Sequence, residues 1–466
     1  MRKWFAMLSI SCAYAGLLDA KPAASGRGTF DVRQYGATGT KEDIATAAIQ
    51  DTIDACSKSG GGTVFVPPGQ YTAGTIQLKD NVTLHVEVGA TLFLSRNPQD
   101  LRGRSRALIY FVINNASNVL LQDISVINSP LWNMRIADCD RVFIRGVTIT
   151  SDLERGVNSD GIDIVSSRNV VISDCLITTA DDAIVLKTIA GAGEAKPVEN
   201  VTVTNCVLTS SSTPMMIGTE THADIRHVVF SNCVIRNSNK GFGINVQDGA
   251  TVSDVIFSNI TMDLNRRHWN WWGSAETFKV VLKKRTPQSR LGAIRDIVID
   301  QVISHARGTS TLTGHPDRRL ENITLSNLQM FMQPEDRPDK RTTHAVRIEG
   351  VNRCTLRDLA IQWDQDRPEE TWQSALYLKD VSDLDLNHFS GRQGVRNSQA
   401  PAVVLENVKG GAIRDSRATK ECGTFLQFKG PRTQGLRLSH NDVSEAVRGF
   451  EFIGGASCQS VSFESR

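Results

Sequence analysis

From residue 118 onward, short apolar–polar alternations recur at a nearly constant interval. One phrase reads roughly Asn-Val-x-Val-x-Asn-Cys. It appears at Asn118-Val119, Arg141-Val142, Asn169-Val170, Asn200-Val201, His227-Val228 and Asp254-Val255, and continues at Asp296-Ile297, Asn322-Ile323, Arg353-Cys354 and Asp383-Leu384. Each step is 23 to 31 residues, except the 42 from Val255 to Ile297. A second strand-like phrase interleaves with the first. It includes Met134-Arg135-Ile136, Ile162-Asp163-Ile164, Ile184-Val185-Leu186, Met215-Met216-Ile217 and Ile244-Asn245-Val246, with later copies as far as Phe425-Leu426-Gln427-Phe428. Period-two alternation between Asn, Asp, Ser and Gly clusters predicts short β-strands. A single such repeat cannot bury its apolar face. Stacking repeats buries a continuous core, so the pattern predicts an all-β parallel β-helix of about a dozen coils. A β-propeller is the runner-up, but its blades are longer and carry four strands. Glu349, Lys379, Glu406 and Lys429 follow the second phrase at equivalent places, so neighbouring coils should present opposite charges.

A solenoid leaves an open edge at its first coil, which invites aggregation. Residues 43–58 carry the one helical periodicity near that end. Ile44, Ala48, Thr52, Ile53 and Cys56 fall on one face, and Asp43 is placed to cap the start. Gly60-Gly61-Gly62 should end this capping helix, and Val64-Phe65-Val66 should open the coils. Ahead of it, Arg2 and Lys3 precede an apolar run to Leu18 with small residues near 13–20, which reads as a signal peptide over 1–20. The expected organisation is therefore a leader over 1–20 and a single β-helix domain over 27–466, with an insertion loop at 264–293. A secreted or periplasmic protein is implied.

Composition adds mainly exclusions. Fifty-two Lys and Arg against 50 Asp and Glu leave a net charge of +2, which argues against nucleic acid as a partner. No segment beyond the leader could span a bilayer, so no membrane partner is expected, and a monomer is. Nine cysteines in 466 residues do not form a dense disulfide framework. Cys139, Cys175, Cys206 and Cys233 recur at one place in successive repeats and read as stacked buried thiols. No C-x-x-C or matching His spacing is present, so no metal or other cofactor is expected.

The chemistry concentrates in Asn158-Ser159-Asp160-Gly161 and Ala180-Asp181-Asp182-Ala183. The strand phrases that follow them, Ile162-Asp163-Ile164 and Ile184-Val185-Leu186, set Asp160 over Asp182 with Asp181 beside it. Carboxylates on adjacent rungs repel one another, and their pKa values should split. One can then stay protonated as an acid while another stays ionised as a base, the division of labour that glycosidic hydrolysis requires. Isolated aspartates between coils would be ordinary turn residues. Three in this pattern point to catalysis.

These two segments resemble the catalytic segments of glycoside hydrolase family 28, the polygalacturonases and rhamnogalacturonan hydrolases. The opening is similar too, through Phe30-Asp31-Val32-Arg33-Gln34-Tyr35-Gly36-Ala37 and Gly62-Thr63-Val64-Phe65-Val66-Pro67-Pro68-Gly69, phrases shared with other pectin-active β-helices. The resemblance implies a right-handed parallel β-helix. It also implies Asp181 as the general acid, and Asp160 and Asp182 activating a water on the opposite face, with inversion.

The sequence departs from that family's pattern twice. Thr213 stands where a Gly-His-Gly histidine is usual, and Gly243-Ile244-Asn245 stands where Arg-Ile-Lys would grip a galacturonate carboxylate. Losing both cations removes charge-assisted hydrogen bonds, which favours a rhamnogalacturonan-type substrate over plain homogalacturonan. Asn158, Lys187, Glu220 and His222 are candidate substrate contacts. So are Arg267 and Trp271 in the Arg266-Arg267-His268-Trp269-Asn270-Trp271-Trp272 run, where indole faces could stack on sugars and Arg could grip a carboxylate. Lys283 and Arg285 are further cations that could replace the missing pair. The expected protein is a pectic glycoside hydrolase. A polygalacturonase proper, a Ca²⁺-dependent lyase on the same fold and a non-catalytic glycan binder are the alternatives.

Overall fold

The structure, a computed structural model, describes residues 28–101, 111–190, 193–267, 272–364, 366–396 and 398–463. The proposed leader lies outside the described residues, as does Trp271. The chain winds into a parallel β-solenoid of about 13 turns. Among the described residues every interstrand ladder is parallel, and strands within the stack pair with their counterparts one coil earlier and one coil later.

The recurring phrase has a structural cause. Its first residue takes a left-handed backbone conformation in coil after coil: φ is 58° at Asn118, 55° at Asn169, 60° at Asn200, 56° at His227 and 56° at Asp254. The Asn five residues later does the same, at Asn205, Asn232 and Asn259. Asn and Asp tolerate this region best among residues with a Cβ. They also stack: Asn200 Nδ2 donates to Asn169 Oδ1 at 2.9 Å, and Asn259 Nδ2 to Asn232 Oδ1 at 3.1 Å. The polar punctuation therefore turns each coil and ties it to the next.

The valines between these corners point inward. Val119, Val142, Val170, Val201, Val228 and Val255 are all buried in one core with Phe230, Phe257 and Phe242. The Phe242 and Phe257 rings stack at 4.3 Å. Burying each such side chain contributes about 1.5–3 kcal/mol, so the fold gains stability coil by coil. The charge alternation is in register as expected: Glu349 pairs with Lys379, Lys379 with Glu406, and Glu406 with Lys429. Lys429 Nζ lies 2.8 Å from Glu406.

The helix runs Thr46–Lys58 and packs on the first strands. Ala48, Thr52, Ile53 and Cys56 are buried as the periodicity predicts, but Ile44 is not. It precedes the helix, is 54% exposed and bridges to Thr72. Ala45 occupies the N-cap, and Asp43 accepts from Thr38 Oγ1 instead of capping. Gly61 follows at φ 110°, where a Cβ would sit 2.5 Å from the Asn81 carbonyl. The extra residues after Val255 are split between two loops, because the strand Glu276–Leu282 returns to the stack in their midst.

Cys139, Cys175, Cys206 and Cys233 are buried, with the Cys206 amide donating to Cys233 Sγ at 3.5 Å. The hydrogen bond with the Cys175 thiol, and after it burial, raise Cys206 to about 12, and the whole row packs as small apolar side chains. Among the described cysteines only Cys458 is exposed. Maleimide on the native protein, read by peptide mapping, should label Cys458 and spare the other seven described cysteines until denaturant is added.

Candidate active site

The site is built by one column of the solenoid. The register pairs Met134, Ile162, Ile184, Met215 and Phe242 across successive coils. Two positions before each stand Trp132, Asp160, Asp182, Thr213 and Lys240, with Glu276 paired to Lys240 on the next coil. Asp160 thus lies over Asp182, as the strand phrases predict. The approach is tight because Gly161 has no side chain: a Cβ there would sit 2.3 Å from the Ala183 carbonyl.

Each carboxylate is held differently. One oxygen on each of Asp160, Asp181 and Asp182 falls within 4.8 Å of the others. Asp160 is buried, with Lys187 Nζ at 3.2 Å, and the same ammonium is 3.1 Å from Asp163. Asp182 Oδ1 accepts from Ser212 Oγ at 2.8 Å and from the Thr213 amide at 3.1 Å. Asp181 accepts only its neighbour's amide, Asp182 N–H at 2.9 Å, and among the described residues no cation contacts it. Its main-chain carbonyl is clamped by the hydroxyls of Thr179 and Ser210, both at 2.7 Å.

Electrostatics then separate the three. Burial, and after it Asp182 and Asp160, push Asp181 up to about 8. Burial, then Asp163, also carry Asp160 well above the usual carboxylate range, against the pull of Lys187. Burial raises Asp182, opposed by Lys187, the Ser212 hydroxyl, Lys240 and the Thr213 amide. Asp163, buried beneath them, is raised to about 7 by burial, against Lys187. Lys187 is held charged: burial alone would depress it, but Asp163, Asp160 and Asp182 overcome that. Hydrogen bonds to the ionised form and a close cation favour a carboxylate. Asp160 faces the Lys187 ammonium and Asp182 accepts two donors, whereas Asp181 accepts one main-chain amide and contacts no cation among the described residues, so its contacts stabilise its carboxylate form least.

The other sequence candidates fall at several distances from this centre. Lys187 is buried among the carboxylates as their counter-ion. Glu220 reaches the edge of the cluster, 3.8 Å from Lys187 and 3.9 Å from Arg285. His222 lies further out, 3.9 Å from Asp248, and Arg285 is committed to Asp248 at 2.7 Å. Asn158 is exposed in the loop before Asp160, at φ 61°. Arg267 donates to the Asn237 carbonyl at 2.7 Å. Its neighbour Arg266 is fully buried against Glu335 at 3.1 Å and Asp339 at 2.9 Å, and pins the loop to the solenoid.

Two residues of the column have no counterpart in the sequence reading. Trp132 lies one coil before Asp160, with Lys187 Nζ 4.2 Å from its ring centroid. Lys240 lies one coil beyond Thr213, buried, with Nζ 3.2 Å from Thr213 Oγ1. Extending the Asp160–Asp182 rung by one copy of the second phrase backward and two copies forward would have found both.

Fold and site together define a parallel β-helix that carries a cluster of three carboxylates on adjacent coils. Residues 96–266, which hold all three carboxylates, match glycosyl hydrolases family 28. A probable polygalacturonase of Vitis vinifera is 24% identical over 211 residues, 33% of this chain and 43% of that protein. An exopolygalacturonase of Rhizopus delemar is 30% identical over 155 residues, 30% of this chain and 42% of that protein. The chain thus spans under half the length of these relatives. The structure of an exopolygalacturonase from Thermotoga maritima superposes with a TM-score of 0.60 at 18% identity, over 72% of this chain and 92% of that one, and so shares the fold.

Proposed function

We propose that the chain is a pectic glycoside hydrolase that works by acid–base catalysis. The observation that carries this reading is the trio itself: three carboxylates on adjacent rungs, of which Asp181 contacts no cation among the described residues, Asp160 faces Lys187, and Asp182 accepts from the Ser212 hydroxyl and the Thr213 amide. Asp181 protonates the glycosidic oxygen, and Asp160 and Asp182 deprotonate a water. The trio is tighter than the roughly 6.5–9.5 Å common between inverting carboxyl groups. Inversion therefore depends on where the water sits. Oxygens up to 4.8 Å apart can share one water through two hydrogen bonds of about 2.8 Å, which gives Asp160 and Asp182 a joint hold on the nucleophile. Lys187 supplies the positive charge that a Ca²⁺-dependent mechanism would draw from the ion.

The substrate reading follows from what flanks the trio. Gly243 and Asn245 offer no cation. Of the cations that could replace them, Lys187 is committed to Asp160 and Asp163 and Arg285 to Asp248, while Lys283 is exposed. A neutral sugar beside the cleavage point fits better than galacturonate, so a rhamnogalacturonan-type backbone is the proposed substrate. Asn158, Glu220, His222, Arg267 and Trp271 are the proposed contacts along the groove, and the leader composition supports export.

Proton NMR of early products from a panel of pectic oligosaccharides, with ultraviolet absorbance in parallel, tests this. Inverted anomeric signals without unsaturated sugar are expected. Unsaturated product would move the chain to elimination chemistry. Turnover should be at least about tenfold faster on rhamnogalacturonan oligomers than on homogalacturonan, the ratio expected from one lost charge-assisted contact. Equal rates would contradict the substrate assignment.

A further inference from the structure

We propose that Lys240 is a positioning residue for the water-activating carboxylate, acting through Thr213 to keep Asp182 ionised and aimed. The inference rests on the hydrolase reading above and deepens it.

Lys240 begins the strand Lys240–Val246 and shares the column that carries Asp160, Asp182 and Thr213. It is 5% exposed, and its Nζ donates to Thr213 Oγ1 at 3.2 Å. Thr213 is itself buried, and its amide donates to Asp182 Oδ1 at 3.1 Å. The ammonium, the threonine and the carboxylate thus form one chain of contacts across three coils. The Ser212 hydroxyl meets the same Asp182 oxygen from the same turn. Two adjacent donors on one oxygen fix the carboxylate plane, and the other oxygen is left for a water.

Lys240 has no evident structural use. Among the described residues no carboxylate lies within ion-pair distance of its Nζ. Glu276, on the same rung one coil further, takes the Ser274 amide. The groups that act on Lys240 are Glu276, Lys279, Asp182 and Asp181, and burial holds it below the ordinary lysine range. Those acting on Asp182 include Lys187 and Lys240, with Asp160 and Asp181 the other members of the trio. A buried ammonium without an ion pair is costly, and an apolar side chain of the same length would pack there at less expense. Its effect is felt at Asp182, where a nearby positive charge favours the ionised form that a general base needs.

Lys240→Met, Thr213→Val and Thr213→Ser test the proposal. Each is read by kcat, KM and unfolding midpoint, and by the pH dependence of kcat/KM. Lys240→Met should lower kcat at least about tenfold with little change in KM. It should also move the acid limb of the profile upward, because Asp182 becomes harder to ionise, by about one pH unit. Its unfolding midpoint should hold or rise, because a buried charge has gone. Thr213→Val should move the profile in the same direction, and Thr213→Ser, which keeps the hydroxyl, should restore it. A merely structural lysine would lower the midpoint and leave the profile in place, and that outcome overturns the proposal.

Difference infrared titration of the Asp182 carboxylate, assigned by subtracting Asp182→Asn, needs no turnover. If wild-type protein hydrolyses nothing, the hydrolase reading fails, and this titration still decides whether Lys240 sets the ionisation of Asp182. An Asp182 titration unchanged in Lys240→Met overturns the proposal independently.

Discussion

Asp181→Asn should cost about 10²–10⁴-fold in turnover, the usual worth of a positioned general acid, and should stabilise the fold at alkaline pH. Both follow from its place in the trio. The wild-type carboxyl keeps its proton up to about 8, because burial and then Asp182 and Asp160 penalise its charge. Its folded pKa lies above its unfolded value. Its favourable contribution is therefore complete below about 4 and is lost as pH rises through about 8. Asparagine keeps the shape and has no charge to lose. The difference in unfolding midpoint between variant and wild type should grow from pH 4 to pH 9 in the variant's favour, reaching about 1–3 kcal/mol. The alkaline limb of wild-type activity should fall near pH 8. Near-normal turnover in the variant would refute the acid assignment. Loss of activity together with a lower midpoint at every pH would show that Asp181 is structural.

Lys187→Met carries the largest expected stability cost. One ammonium lies 3.2 Å from Asp160, 3.1 Å from Asp163 and 3.8 Å from Glu220, beneath the Trp132 ring. Asp160 and Asp163 are almost without solvent. Removing their common partner leaves buried carboxyl groups uncompensated, a change that costs about 3–5 kcal/mol. The loss should depend on pH with a definite sign. In acid Asp160 and Asp163 are neutral and need no partner, so the variant approaches wild type. As pH rises above the ordinary carboxyl range, the unfolded chain ionises freely while the folded one cannot, and the deficit opens. Chemical denaturation at pH 4 and pH 8 reads it directly, and equal deficits at the two pH values would show that Lys187 acts by packing alone. Turnover should fall as well, because Asp160 without its counter-ion can no longer serve as a base.

The two variants separate the roles that a single loss of activity would confuse. Asp181→Asn removes a proton donor from a scaffold that gains stability. Lys187→Met removes the charge that makes the scaffold tolerate its own acids. A site that stores this much like charge is expected to trade stability for chemistry.

Much of this was legible in the chain alone, for local reasons. Asn and Asp at the corners, valines between them and a nearly constant step made each coil readable, because every repeat solves the same turn and burial problem within about 30 residues. The placing of Asp160 over Asp182 needed only the two apolar phrases that follow them. Parallel pairing in register makes equal offsets from equal phrases stack, and the same logic carried the Glu349–Lys429 alternation. The capping helix was legible as a periodicity, but its start was not. Ile44 fits the helical face by spacing alone, yet the chain there is drawn to Thr72, and the helix begins at Thr46.

What only the tertiary structure decided is where the long cations end. Lys187, Lys240, Arg266 and Arg285 look alike in sequence, as basic residues close to strands or loops. In the solenoid one neutralises Asp160 and Asp163, one hydrogen-bonds Thr213 behind Asp182, one pins a loop through Glu335 and Asp339, and one holds Asp248. A strand pattern specifies the face on which a side chain emerges. The destination of a flexible four-carbon or guanidinium side chain depends on which carboxylates other coils bring within reach, and that is set only when the coils stack.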